Sequence, residues 1–408
     1  MKVLFIANKS EFGGATKCML ELIELLIKFN NVEVELIVHG ENFLAKWCKE
    51  RNIKYYAFGH VPFAISKGST IIRRIGKTIL TPFYYIRARI QNQKAFRKAC
   101  KVIDFNKIDI IHTNSNRDCF GAMLAKKYDI PHVWHLREFG KEDYDIRYLT
   151  SNYIEYMNLN ANYFIAVSDS VKNAWIRKGL SEEKLFRIYD GIALPKPEIV
   201  AKADTFKQMT KRDDFRFAYL GIVCPSKGQY DAVKALSYIE TDIAKKIHID
   251  FWGDCTLLPE YTNKLKKYAI KKGILSSISF KGFTNNIWAE LPNYDGALVC
   301  SRSEAFGRIT PEYMSLGLQV IASDTGSNPE IVENGESGYI YRHNDLNDLT
   351  EKIKVVYDKS IEERAIMAFK AKERAKQFTD IIHAENINGL YKKILISNKG
   401  KINISLRK

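Results

Sequence analysis

SRSEAFGRITPEYMSLG, residues 301–317, decides how the rest of the chain is read. Thr310 suits a helix N-cap, Pro311 suits the first helical position because its missing N–H is an orphan there, and Gly317 suits the residue that closes the helix. Glu312 then sits in the first turn and Glu304 in the loop before it. Free N–H groups and the helix dipole favour an anion at such a place, so a phosphorylated ligand is one reading. An ordinary strand-to-helix loop is the other. YDGALVC, residues 294–300, is a short apolar run with the pattern of a buried parallel strand, and open α/β sheets bind ligands at strand carboxyl ends.

Glu304 and Glu312, with seven residues between them that include FGR, resemble the E-x7-E signature of the retaining family 4 glycosyltransferases of the GT-B fold. The resemblance implies that Glu304 and the backbone amides of Phe306 and Gly307 hold the donor sugar and its phosphates. It implies that Glu312 holds the nucleotide ribose.

A chain of 408 residues exceeds one ordinary core, so two domains are expected. Hydrophobic content of 46% with 27% charged residues describes a globular protein. The net charge of +16 points to an anionic partner: nucleic acid, an anionic membrane surface or a phosphorylated substrate. Seven cysteines are scattered without a C-x-x-C pair, which suggests neither a disulfide framework nor a zinc site and fits a reducing cytoplasm. The apolar run in MKVLFIANKSE is shorter than a signal-peptide core, and no later run approaches 18 apolar residues, so neither export nor a membrane span is expected.

Residues 3–7, 16–29 and 33–40 read as strand, amphipathic helix and strand. Gly13 and Gly14 precede that helix and permit close backbone approach, although the loop lacks G-x-G-x-x-G. The resembled enzymes carry a glycine pair here, facing the donor diphosphate and the acceptor. IDIIHTNS (108–115) and IPHVWHLREFG (130–140) each place a histidine near a strand end, His112 and His135. HLRE resembles the family's strand-end histidine, which assigns His135 to the donor sugar. Arg137 and Glu138 follow in the same loop, to orient it, meet the acceptor or pair with each other. In the turn near residue 190 the family's usual asparagine is Asp190 here.

ALPKPEIVAKAD (193–204) has two prolines and no clear periodicity, which marks a linker. A second series of strands and helices follows, including FRFAYLG (215–221) and IHIDFWGD (247–254), with ESGYIY (336–341) read as a short hairpin-like piece. The family places an arginine and a lysine on the donor phosphates. Lys227 and Gly228 match that pattern, but Ile222 stands at the arginine position, and Arg308 is the substitute offered by the signature.

These readings combine into an α/β protein of two Rossmann-like, doubly wound parallel-sheet domains facing across a cleft, the GT-B arrangement. The domains are expected at 1–195, binding the acceptor, and 205–378, binding the nucleotide sugar, with 379–408 crossing back onto the first. The implied activity is retaining transfer from a nucleotide-diphosphate donor, a UDP-sugar, to a lipid-linked saccharide or polysaccharide precursor. Glu304, His135 and Lys227 are the candidate catalytic residues; Gly13, Gly14, Phe306, Gly307, Arg308 and Glu312 bind donor. No metal and no cofactor are expected. A GT-B sugar-nucleotide epimerase, a nucleic-acid binder and a non-catalytic scaffold compete with this reading, and the first discriminating observation is sugar transfer against epimerisation.

Residues 51–103 contain no Asp or Glu. Arg73, Arg74, Lys77, Arg87, Arg89, Lys94, Arg97, Lys98 and Lys101 are interleaved with Ile71, Ile75, Ile79, Phe83, Ile86 and Ile90 at helical spacing. Such a helix has an apolar face with basic flanks, as interfacial helices do, although Pro82 should kink or split it. Residues 66–101 are therefore expected to meet an anionic membrane, placing the protein peripherally on the cytoplasmic face; packing of the same apolar face onto the first domain is the alternative. The familiar nucleic-acid recognition motifs are missing.

Overall fold

The structure is a computed structural model that describes residues 1–7, 13–66, 71–140, 145–207 and 214–405. Residues 8–12 of the glycine loop, the side chains of residues 71–74 and 399–405, and residues 406–408 of the basic tail lie outside what is described. The chain divides into two compact units, residues 1–191 with 380–408, and residues 192–379.

The first unit carries β1 (Lys2–Ile6), β2 (Glu33–Val38), β3 (Lys54–Ala57), β4 (Ala64–Ser66), β5 (Ile110–Thr113), β6 (His132–Leu136), β7 (Ile146–Tyr148), β8 (Tyr163–Ala166) and β9 (Leu185–Arg187). Seven of these form one parallel sheet in the order β3-β2-β1-β5-β6-β8-β9, while β4 and β7 make a small antiparallel pair. Strand alternation sorts the core onto two faces. Val3, Phe5, Ile110 and Val133 pack with the helices Gly14–Asn30 and Asp380–Ser405. Leu4, Ile6 and Ile111 pack the other way, against Ala95 and Ala99 of the helix Thr81–Val102 and Phe120 and Leu124 of the helix Phe120–Tyr128.

The second unit carries β10 (Phe215–Leu220), β11 (Ile247–Trp252), β12 (Ile278–Gly282), β13 (Gly296–Val299), β14 (Gln319–Ser323) and β15 (Tyr339–Tyr341), all parallel, in the order β12-β11-β10-β13-β14-β15. Both units thus wind outward from an inner strand pair, β1 with β5 and β10 with β13. The strand order reverses there, which is where open α/β sheets hold ligands.

Several local expectations change. Residues 197–207 are not linker but the helix Pro197–Lys207, held by an ion pair from Asp204 to Lys372 at 2.6 Å and by donation from Lys207 to the Leu316 carbonyl. Its polar tertiary contacts supply what apolar periodicity lacks. ESGYIY is no hairpin: β15 lies parallel to β14 as the sheet edge. The helix of the opening stretch runs Ile309–Ser315 with Arg308 at the N-cap, so Thr310 is already inside it and its hydroxyl donates to Asn328 Oδ1 at 3.1 Å. Pro311 is tolerated within the first turn because N–H groups there have no intrahelical partner. Gly317 does close the helix, at φ +66. Its N–H meets the Met314 carbonyl and the Leu318 N–H meets that of Tyr313, the paired bonds of a Schellman cap.

Residues 71–102 form two helices, Ile71–Ile79 and Thr81–Val102, parted at Leu80, with Pro82 in the opening turn of the second. Ile75, Ile79, Phe83, Ile86 and Ile90 are each more than half exposed, so these residues do not pack onto the unit's core. No helix of the described residues is long and apolar enough to cross a membrane.

Candidate active site

In the second unit the loops after β10 and β13 meet at the reversal point. Lys227 ends the short turn Pro225–Lys227, and its ammonium lies 2.5 Å from Glu304 Oε1. The loops are also stapled through backbone: Arg302 N–H donates to the Ser226 carbonyl at 3.0 Å, and the Tyr219 hydroxyl donates to the Lys227 carbonyl while accepting from Cys300 N–H. Gly228, at φ +77, is required, because a Cβ there would sit 2.0 Å from the Cys300 carbonyl oxygen.

Glu304 is held from a third loop, after β14. Ser327 N–H donates to the Glu304 carbonyl at 2.9 Å, and the Ser327 hydroxyl donates to that of Phe306 at 2.6 Å. Gly326 (φ +59) makes this approach possible, since a Cβ would lie 2.1 Å from the Glu304 carbonyl oxygen. The carboxylate side chain is 11% exposed and the lysine 34%, so the pair is sunk on the acidic side and open on the basic one. Phe306 is buried, with its ring against Phe378 at 5.9 Å. Gly307 takes φ +65; Arg308 and Glu312 are half-buried at the helix start. Ile222 is nearly half exposed. Gly326 and Ser327 escaped sequence reading, although the turn-forming SDTGS run at a strand end was their signal.

In the first unit, Gly13 takes φ +146 at the N-cap of the helix Gly14–Asn30, and a Cβ on Gly14 would meet none of the described atoms within 4 Å. His135, on β6, is fully buried. Its Nδ1 lies 3.2 Å from His112 Nε2 and 3.4 Å from Arg137 Nη2; its Nε2 has no hydrogen-bond partner among the described residues and stands 4.0 Å from Asp190 Oδ1. His112 Nδ1 in turn meets the Tyr391 hydroxyl at 2.6 Å. Burial, reinforced by the Arg137 charge, holds both imidazoles well below the ordinary histidine range. With Arg137 donating at Nδ1, the proton of neutral His135 sits on Nε2, which makes that atom a donor. Burial opposes charge on Arg137, yet the Asp190 carboxylate and Cys18 raise its pKa. Arg137 and Glu138 do not pair with each other: Arg137 binds Asp190 and Asn114 Oδ1, and Glu138 binds Arg117 at 2.6 Å.

Among the described residues one trio of metal-capable groups converges, Cys18, Asp190 and His383. The His383 ring turns Nδ1 to Cys18 Sγ at 3.8 Å and Nε2 to Asp190 Oδ1 at 3.9 Å. One ligand atom from each residue lies within 4.8 Å of the others, and Asp190 is at the same time the counter-ion of Arg137.

Two doubly wound parallel sheets, each with polar groups gathered at its reversal point, define the GT-B class of α/β fold. Residues 12–195 match the family model described as Glycosyltransferase Family 4, and residues 201–374 match that described as Glycosyl transferases group 1. Both halves of the chain thus match glycosyltransferase models, which supports a glycosyltransferase of the GT-B fold. The chain is 26% identical over 294 residues to an uncharacterized glycosyltransferase of Methanocaldococcus jannaschii, covering 70% of this chain and 75% of that one. It is 22% identical over 249 residues to the capsular polysaccharide biosynthesis glycosyltransferase CapM of Staphylococcus aureus, covering 59% and 64%. Among solved structures, Anabaena HepE in complex with UDP is similar at a TM-score of 0.75 and 20% identity, over 96% of this chain and all of that one. A Rickettsia africae glycosyltransferase gives 0.76 and 19%, over 97% and 98%. These structural likenesses establish the fold.

Proposed function

We propose that this protein is a retaining, metal-independent glycosyltransferase that moves a sugar from a UDP-sugar to a hydroxyl of a lipid-linked saccharide or polysaccharide precursor. The observation that carries this reading is the Lys227–Glu304 contact, sunk at the reversal point of the second sheet and built by three loops. A cation there offsets the charge that develops as a nucleoside diphosphate departs. Glu304 and the Phe306 and Gly307 amides hold the donor sugar and phosphates, Glu312 holds the ribose, and Arg308 supplies the charge missing at Ile222. The second unit binds donor and the first binds acceptor, with Gly13 and Gly14 giving close backbone approach; His135, whose Nε2 is buried, acts from behind that surface as a positioning residue. The anomeric carbon–phosphate oxygen bond breaks, the acceptor oxygen bonds on the same face, and the acceptor proton goes to the departing phosphate.

UDP in HepE supports the donor class, as does UDP-glucose in another HepE complex, and the name of CapM supports the acceptor class. Exposed Ile79, Phe83, Ile86 and Ile90, beside exposed Arg87, Lys94 and Arg97, support docking of residues 66–101 on an anionic membrane from the cytoplasmic side. Incubation with a panel of nucleotide sugars tests the activity: nucleoside diphosphate should be released from a UDP-sugar, and Glu304→Ala should abolish release while the protein stays folded. A near-normal rate in that variant removes the assignment.

A further inference from the structure

A cavity of about 410 Å³ opens in the first unit between the loop after β3, the helix Thr81–Val102, the start of the helix Phe120–Tyr128 and residues 150–156. It lies on the sheet face away from His135. Val133 and His135 share one face of β6. Trp134 points to the other and sets its ring edge-on to Tyr153 at 6.1 Å. The lining joins four aromatic rings, Phe63, Tyr85, Tyr153 and Tyr156, to exposed Arg89, Gln93 and Asn152. The rings brace one another: Phe63 meets Tyr85 at 5.5 Å, and Tyr148 stacks behind Tyr153 at 4.2 Å. The Tyr153 hydroxyl is buried and has no hydrogen-bond partner among the described residues.

We infer that this cavity is a saccharide-binding subsite that takes a sugar ring of the acceptor, an inference that rests on the saccharide-acceptor reading above. Its volume falls within the range of small-molecule sites, roughly 300–1,000 Å³. Aromatic faces cover the C–H face of a pyranose, and the polar rim meets its hydroxyls. An alkyl chain would cover Arg89, Gln93 and Asn152 without offering them hydrogen bonds, whereas a hydroxylated ring offers them. The helix Thr81–Val102 links this site to the proposed membrane face. Tyr85, Arg89 and Asn92 line the cavity from one flank, while Phe83, Ile86 and Ile90 are exposed on another. A lipid-linked acceptor anchored beside that helix presents its sugar on the cavity side.

Saturation-transfer NMR on the full-length protein without donor tests this, using methyl α-D-glucopyranoside, methyl α-D-galactopyranoside and methyl N-acetyl-β-D-glucosaminide, with 1-octanol as the apolar comparison. At least one glycoside should receive saturation. Met123→Trp should abolish binding by filling the space. The double variant Arg89→Ala/Gln93→Ala, at exposed positions that the fold tolerates, should weaken binding at least threefold. The inference is overturned if no glycoside receives saturation, if only octanol does, or if the glycoside signal survives undiminished in the double variant. Neither donor nor turnover enters the measurement, so its failure leaves the transferase reading standing, and failure of UDP-sugar turnover leaves the cavity's result intact.

Discussion

Replacing Lys227 by methionine separates the charge of the central pair from its packing. Removing one partner of a buried ion pair costs about 3–5 kcal/mol, and exposed pairs are worth about 1 kcal/mol or less. Here the carboxylate side chain is 11% exposed and the lysine 34%, so the loss should fall between these limits, about 2 kcal/mol, because Glu304 is left charged with little water. Glu304→Gln should cost less than about 1 kcal/mol, since the freed ammonium can swing into solvent. The double variant should then cost less than the two singles added, a coupling readable by urea unfolding at pH 7.5. If the second unit unfolds as one transition, 2 kcal/mol corresponds to a Tm drop of about 4–8 °C. Activity should behave differently. With UDP-glucose and UDP-N-acetylglucosamine as donors, Lys227→Met should lower kcat by roughly tenfold to a thousandfold. A Lys227→Met enzyme that loses stability but keeps its rate within threefold would refute the catalytic role and leave the lysine as a counter-ion for Glu304.

Gly326→Ala should lower turnover at least tenfold by displacing the Glu304 backbone, whereas Gly273→Ala, also at positive φ but with open space around it, should cost only about 1–2 kcal/mol of stability and no rate. Stability should fall as pH drops from 7 toward 5. Burial keeps His112 and His135 well below the ordinary range and His132 at about 4, so the unfolded chain takes up protons that these three refuse, worth about 1.4 kcal/mol per pH unit for each at full effect. His60 acts oppositely: burial works against its charge but Asp118 at 3.2 Å raises its pKa, so its contribution is present below about pH 6.5 and lost as pH rises through the folded value. A Tm that holds level or rises between pH 7 and 5.5 would contradict this balance. Liposomes with anionic lipid should co-sediment the protein, less so with added salt, and Ile79→Asp/Ile86→Asp should release it; wild type left in the supernatant at low salt argues for a soluble acceptor. Proton NMR of the product should show an α-linked sugar from an α-linked donor, in the presence of EDTA.

The two parallel sheets were legible because buried strands such as VLFIA and GALV are nearly continuous apolar runs between amphipathic helices. The helix Pro197–Lys207 was not, since Lys207 and Asp204 hold it by polar contacts with Leu316 and Lys372, far along the chain. At the candidate site, Glu304 and Lys227 were each singled out by local pattern. That they touch was invisible: 77 residues separate them, and only the meeting of β10 and β13 joins them. Ser327 and Gly326 are read only once β14 lies beside β13, and Asp190, by its loop a mere departure from pattern, becomes the counter-ion of buried Arg137.

The helix Asp380–Ser405 has a consequence for how the protein is made. Ile387, Leu390, Tyr391 and Ile394 are buried in the core of the first unit, and Tyr391 also holds His112. The second unit is one unbroken run whose ends close on each other, Ile192 N–H bonding the Phe378 carbonyl at 2.9 Å. Domains usually fold in order of emergence from the ribosome. Here the unit that begins first must finish last. Its apolar groove stays open until the final helix is released, while the inserted unit is already complete, so a transcript cut after residue 379 yields one folded unit and one that lacks a wall.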